Sequence, residues 1–324
     1  MHCIHFRSVY LQSVDGVRPD LTIVRLRLGI RSEYERLLSA LDSGQIVYFP
    51  PAEGFNLTRF SENYALAPVE GGLLRVTKDD TGYNKLDKAI APQVSLWGYR
   101  TNEHNLTLYW QVHEAMDEDY ASYVHFFDAE LQPIGQADKQ GMAEGSYIFP
   151  TSRWTEGQVV QDNFPAAPPS TAHVQAGMYM LSDETIQSFG RAAVFMLRSP
   201  ALSEVRHRLD VSLGQQVVLR GYELSQEGAA LRLVLFWGAQ GEIDQDYTVF
   251  VHLVDGEQIV AQQDQQPLDG FYPTSMWREG EIVRDSYFLP LPSAGTEIRI
   301  GMYSPQTMQR LPRVDAKMDY VIIK

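Results

Sequence analysis

The feature that most constrains this chain is self-similarity: its C-terminal two-thirds says nearly the same thing twice. WGY at 97–99 returns as RGY at 220–222, and LYW at 108–110 returns as LFW at 235–237. DEDYASYVHFFD (117–128) returns as DQDYTVFVHLVD (244–255), and QAD at 136–138 as QQD at 262–264. FPTSRWTEG (149–157) returns as YPTSMWREG (272–280), VQD at 160–162 as VRD at 283–285, and GMY at 177–179 as GMY at 301–303. The offset drifts only between 123 and 127 residues, as it does when loops gain or lose residues around a fixed framework. Short apolar runs separated by Gly, Pro, Asn and Asp clusters, without a helical period, predict that each copy is a β-sandwich of the jelly-roll or immunoglobulin-like kind.

The first 80 residues read differently. FRSVYLQSVD (6–15) has helical spacing, and LTIVRLRLGI (21–30) is a strand pattern. Ser32 and Glu35 form a capping box ahead of Tyr34, Leu37, Leu38 and Leu41, Gly44 ends that helix, and IVYF (46–49) and LLRV (73–76) are further strands. The order α-β-α-β predicts a small α/β unit with parallel strands, half of a Rossmann-like fold. The expected layout is an α/β segment at 1–80, a linker at 81–89, sandwich one at 90–199, a joint at 200–207 and sandwich two at 208–324.

Because the copies are duplicated, each candidate functional residue must be explained twice. His125 and His252 sit on alternating strands, as ligands or general bases or as hydrogen-bonded strand residues. Asp117 and Asp119, with Asp244 and Asp246, form D-x-D-Y pairs whose oxygens are calcium candidates or solvated loop acids. In the PTS-x-W-x-E-G block, Pro150 and Pro273 set a turn, and Trp154 and Trp277 either close one end of the sandwich or, beside Asp162 and Asp285, offer a platform for a sugar ring. Residues that differ between copies, Trp97 against Arg220 and GMAEGS (141–146) against LDG (268–270), are the places for specialised binding.

Exclusions narrow the classes. The 41 acidic residues against 27 basic give a net charge of −14, which opposes binding to nucleic acid or anionic lipid. The single Cys3 excludes an internal disulfide and a cysteine metal cluster. No run of 18 apolar residues and no apolar core of signal-peptide length is present. The sequence holds no G-x-S-x-G, P-loop, G-x-G-x-x-G or H-E-x-x-H motif, so neither a catalytic residue nor a cofactor is assigned. The sequons at Asn105 and Asn56 are short enough to arise by chance.

The run VYLQSVDGVRPDLTIV, followed by a helix and GQIVYF, resembles the soluble segment after the last membrane helix of bacterial protein O-mannosyltransferase-like, dolichyl-phosphate-mannose-type membrane glycosyltransferases. DYTVFVHLVD, QQDQQP, GFYPTSMWREGE, VRD, and GMY with RLP resemble the β-sandwich modules attached to such proteins, particularly in Chloroflexi-like bacteria. The family's catalytic site lies among membrane helices, with acidic residues on its first extracytoplasmic loop. This chain has neither, so no catalytic residue carries over. The resemblance implies a non-catalytic extracytoplasmic accessory region that positions, or weakly binds, glycan or acceptor beside a membrane-embedded partner. Two alternatives stand beside it: a carbohydrate-active hydrolase with paired carboxylates such as Asp119 and Asp162, and a purely structural spacer.

Overall fold

In a computed structural model, the described residues are 31–49, 64–69, 73–78, 83–139, 150–182 and 185–323. Sandwich one is built from β4 (Asn84–Ala91), β5 (Val94–Thr101), β6 (Asn105–Val112), β7 (Ala121–Phe127), β8 (Pro133–Asp138), β9 (Val159–Pro165), β10 (His173–Ser182) and β11 (Thr185–Met196). Its sheets run β4-β5-β6-β9 and β11-β10-β7-β8. Sandwich two comprises β12 (His207–Leu213), β13 (Val217–Glu227), β14 (Ala230–Ala239), β15 (Thr248–Asp255), β16 (Gln258–Gln265), β17 (Ile282–Pro290), β18 (Glu297–Tyr303) and β19 (Val321–Ile323). Its sheets run β12-β13-β14-β17 and β16-β15-β18-β19, the same order strand for strand. The repeat in the sequence is a repeat of topology.

Several oddities shared by the two copies have one steric cause each. The β5–β6 register slips between Leu96 and Gly98, and the β13–β14 register slips between Leu219 and Gly221. A Cβ on Gly98 would lie 2.7 Å from the Asn84 carbonyl oxygen, and one on Gly221 would lie 2.2 Å from that of His207. The glycine of each GY pair therefore admits the first strand at close range. That first strand is itself bulged at equivalent places, where Asp87 and Asp210 take φ of 52° and 58°. In the two GMY blocks, Gly177 faces Tyr123 and Gly301 faces Phe250 across the sheet, and any Cβ would strike the ring. The aromatic lies over the bare glycine backbone. Inward residues of both sheets fill the cores, with Trp110 and Trp237 among the largest fully buried side chains.

The described part of the N-terminal region shows one helix and three short strands, and does not by itself make the expected parallel α/β unit. Helix α1 (Arg31–Asp42) covers the expected helical segment, with Ser32 already inside it rather than capping it, buries Leu41 and is followed by Gly44 with φ +83°. However, β1 (Val47–Phe49) pairs antiparallel with β3 (Leu73–Lys78), which pairs antiparallel with β2 (Tyr64–Val69). No parallel crossover joins these strands. Instead β2 lies parallel to β9 at Ala65 and Leu66, so the three strands extend the first sheet of sandwich one to seven. The helix expected at 6–15 and the strand at 21–30 lie outside the described residues. The stretch expected as a linker at 81–89 carries most of β4, with Leu86, Lys88 and Ile90 turned inward. Among the described residues no helix is long and apolar enough to cross a membrane.

Candidate functional site

The two most distinctive motifs are halves of one lock. Pro150, at φ −64° and ψ 155°, leads into a 3-10 turn, Thr151–Arg153. The Thr151 hydroxyl accepts from the Tyr120 amide at 2.7 Å and donates to the Glu118 carbonyl at 2.9 Å, while the Ser152 amide donates to Asp119 Oδ1 at 3.1 Å. Sandwich two repeats this around Thr274–Met276: Thr274 accepts from the Tyr247 amide at 2.9 Å and donates to the Gln245 carbonyl at 2.8 Å, and the Ser275 amide donates to Asp246 Oδ1 at 3.0 Å. D-x-D-Y and PTS are therefore adjacent in space, and the second aspartate of each pair caps a turn. Asp117 and Asp244, the first of each pair, point to solvent. Among the described residues no three His, Cys, Asp or Glu side chains come together as a metal site.

Trp154 and Trp277 follow these turns and are only 5% and 2% exposed. The Trp277 indole donates to the Tyr272 carbonyl at 3.0 Å. A sugar needs an open ring face, and neither tryptophan has one; both plug a sandwich end. His252 is buried, with Nε2 3.1 Å from Asp264 Oδ1 and its ring packed on Phe250. His125 is half-buried against Tyr123. Trp97 donates to the Tyr83 hydroxyl under the Lys85 ammonium, whereas Arg220 pairs with Asp210 at 3.1 Å. The stretch 141–146 lies outside the described residues.

Asp162 and Asp285, the equivalent acids of β9 and β17, have opposite surroundings. Asp162 accepts from the Ser122 hydroxyl on the facing sheet and pairs with Lys139 at 2.5 Å. In the aligned copy Val249 stands for Ser122 and Gln265 for Lys139. Asp285, 1% exposed, is left with hydrogen bonds from Tyr287, the Gln265 side chain, the Ser286 amide and, at 3.1 Å, the Leu268 amide. Desolvation outweighs these bonds and pushes its carboxyl up to about 6. Burial and the neighbouring carboxylate push the Tyr287 hydroxyl well above its usual range.

Sequence reasoning missed one constellation, and it sits where the sandwiches meet. Lys88 of sandwich one donates to the Ser275 carbonyl at 2.7 Å. Arg278 of sandwich two donates to the Met196 carbonyl at 3.0 Å and, more loosely, to the Tyr99 hydroxyl at 3.4 Å. Behind it, Glu281 receives Arg278 at 2.5 Å and the Tyr272 hydroxyl at 2.6 Å. Phe271 meets Phe127 edge-on with ring centroids 4.7 Å apart, and His173 stands against Phe271 and Tyr272. Desolvation lowers the pKa of both Lys88 and His173. The Ser199 hydroxyl bonds the Ile282 backbone, fastening the connecting segment to β17.

No family model and no curated protein matches the chain.

The signal for the joint was present in the aligned copies. Thr155 and Gln158 of sandwich one make the same local bond, Thr155 amide to Gln158 Oε1 at 3.0 Å, that Arg278 amide makes to Glu281 Oε2. Replacing Gln by Glu, Thr by Arg and Phe149 by Tyr272 keeps that turn and adds a triad, the Arg278–Glu281 ion pair with the neutral Tyr272 hydroxyl donating to it. The three changes make sense together only against a neighbour.

Proposed function

We propose that this chain is a non-catalytic positioning module in which two sandwiches are fixed to one another as a single body. The observation that carries this reading is where the polar side chains go. The shared threonine and aspartate side chains of the PTS and D-x-D-Y motifs bond within their own sandwich, whereas Arg278, a charge unique to copy two, reaches across the joint with Glu281 behind it. A glycan-stacking role for Trp154 and Trp277 lacks an open ring face, so positioning is favoured over binding. Paired-carboxylate hydrolysis is disfavoured in the same way: Asp119 caps Ser152, and Asp162 is neutralised by Lys139. An extracytoplasmic place beside a membrane glycosyltransferase-like protein is the part of the proposal that rests on the sequence resemblance alone.

Small-angle scattering combined with calorimetric titration tests the reading. A rigid module gives a scattering curve fitted by one arrangement of the sandwiches and no saturable heat with mannose oligosaccharides. A curve that requires an ensemble of arrangements, or saturable oligosaccharide binding, overturns it.

A further inference from the structure

Sheets β11-β10-β7-β8 and β16-β15-β18-β19 carry the same ring cluster on their outer faces, and among the described residues only the second cluster is covered. On sandwich one, the Tyr123 ring stands 4.8 Å from His125 and 6.1 Å from Tyr179, centroid to centroid. On sandwich two, Phe250 stands 4.8 Å from His252 and 6.4 Å from Tyr303. Asp138 and Asp264 of the edge strands are the register partners of Tyr123 and Phe250. Cross-strand partners share a face, so ring and carboxylate lie side by side in both copies.

In sandwich two the chain covers its own cluster. Residues 304–320 turn back along β18, where Arg310 forms an antiparallel bridge with Tyr303. The Arg310 guanidinium lies 4.3 Å from the Phe250 ring centroid and 3.5 Å from Asp319, and Phe250 is only 1% exposed. In sandwich one the strand beside β10 is β11, and the residue cross-strand from Tyr179 is Ser188. Arg299, the other cation of the second face, is replaced by Gln175, since each pairs with the histidine of its copy. Both positive charges are therefore missing from the first face. Tyr123, His125, Tyr179 and Asp138 stay half-buried there, and no Lys or Arg among the described residues pairs with Asp138. Burial and the Asp138 carboxylate push the hydroxyls of Tyr123 and Tyr179 above their usual range, so both rings are neutral. Beyond Tyr179 the face continues into Leu181 paired with Ile186, both exposed.

We propose that this face of sandwich one docks an arginine side chain of a partner protein, seated over Tyr123 with its guanidinium against Asp138. The second copy identifies the occupant, because an arginine fills the equivalent place there. A guanidinium stacks on a ring and presents a planar fork to a carboxylate at once, which a lysine ammonium does not. The net charge of −14 favours the approach of a basic partner. Because β11 already pairs with β10, the partner lies across the face through its side chains and adds no strand. The inference rests on the positioning role proposed above and names the face by which the module holds its partner.

The test titrates the full chain with a peptide copied from the cover, residues 306–314 (QTMQRLPRV), and follows the histidine rings by NMR. His125 should shift saturably, while His252, beneath its own cover, should not. Ser188→Arg, which supplies the guanidinium in cis from an exposed position, and Asp138→Asn should each weaken binding about tenfold, and so should exchanging both peptide arginines for lysine. No shift of His125 at millimolar peptide overturns the site. So does binding that both variants leave unchanged, or equal binding of the lysine peptide, either of which reduces it to general charge attraction. Tighter binding of tetramethylammonium than of the peptide would make the cluster an ammonium cage and overturn the arginine assignment. Scattering separates this inference from the reading it rests on: one arrangement of the sandwiches without peptide binding removes the site alone, and an ensemble of arrangements with binding intact removes the rigid module alone.

Discussion

Sandwich one and sandwich two share strand order, bulges, glycines and the threonine lock, yet they treat one equivalent acid in opposite ways. Asp162 has a serine and a lysine; Asp285 has a glutamine, a tyrosine and two backbone amides. A duplicated fold makes such contrasts interpretable, because the framework is held constant while the partner changes. Groups that set the framework, such as Thr151 and Thr274, cannot diverge without destabilising their copy. Groups that only balance a charge can, and the copy in which the balance is lost is also the one whose adjoining turn reaches across the joint. Copy one instead uses the edge of β9 to receive β2. The edge of β17 is closed by side chains, with Ser199 on Ile282 and Gln263 on the Phe288 amide. Two copies of one edge thus carry a paired strand and a set of caps, the two usual ways of blocking further strand pairing.

The sharpest way to break the equivalence of the copies is to remove their plugs. Trp154→Ala and Trp277→Ala should each destabilise their own sandwich by about 3–5 kcal/mol in urea titration, the range for a buried tryptophan. A loss under about 0.5 kcal/mol, the surface range, would mean that the ring is open and would reopen the sugar platform. Next in size is pH. Folded Asp285 keeps its proton to about 6, whereas the unfolded chain releases it near 3.8, so between these values the native state binds the extra proton. Its contribution to stability is therefore greatest at low pH, falls as pH rises through that window and is flat above it, a span of about 3 kcal/mol. The stability difference between wild type and Asp285→Asn, measured by denaturant titration across the window, should change by about that amount.

How much of this was legible beforehand follows from what sequence patterns encode. Order, register and duplication of the sandwiches are carried by local signals: alternating burial at Leu96, Leu108 and Val124, and glycines such as Gly98 and Gly177 that admit a neighbour. The closing role of Trp154 could be weighed against stacking but not settled, because an aromatic residue beside a turn is compatible with both. The antiparallel pairing of the described N-terminal strands was not legible for a specific reason. The order helix–strand suggests a crossover, but β1, β2 and β3 are short strands whose pairing depends on the edge of β9, more than ninety residues away in sequence. The charge environment of Asp285 is equally non-local. Only by aligning Lys139 with Gln265 does a missing cation become visible, and only the fold shows that no other among the described residues takes its place.

Smaller effects sharpen the comparison further. Thr151→Val and Thr274→Val each strand a backbone amide and a carbonyl in a region with little water, a loss of about 1–3 kcal/mol per copy, readable in urea titration. A value near zero would detach the D-x-D-Y motif from the PTS turn.

The smallest expected change in stability carries the most information about how the copies communicate. Glu281→Gln restores the residue that sandwich one uses, and its amide oxygen can still accept the Arg278 amide hydrogen, as Gln158 does for Thr155. Only the charge is lost, and with it the pairing to the Arg278 guanidinium and the strong acceptor for Tyr272. Because the turn survives and the amide oxygen remains an acceptor, sandwich two should weaken by only about 1 kcal/mol, the net worth of an ordinary hydrogen bond. Arg278, however, is now free to leave the Met196 carbonyl, and coupling between the copies should fall with it. Calorimetry distinguishes the two consequences: wild type should melt in one transition in which both sandwiches participate, and Glu281→Gln should split it into two. If the variant lowers the midpoint without splitting the transition, the triad serves sandwich two alone, and the joint is held by Phe271, Lys88 and Ser199.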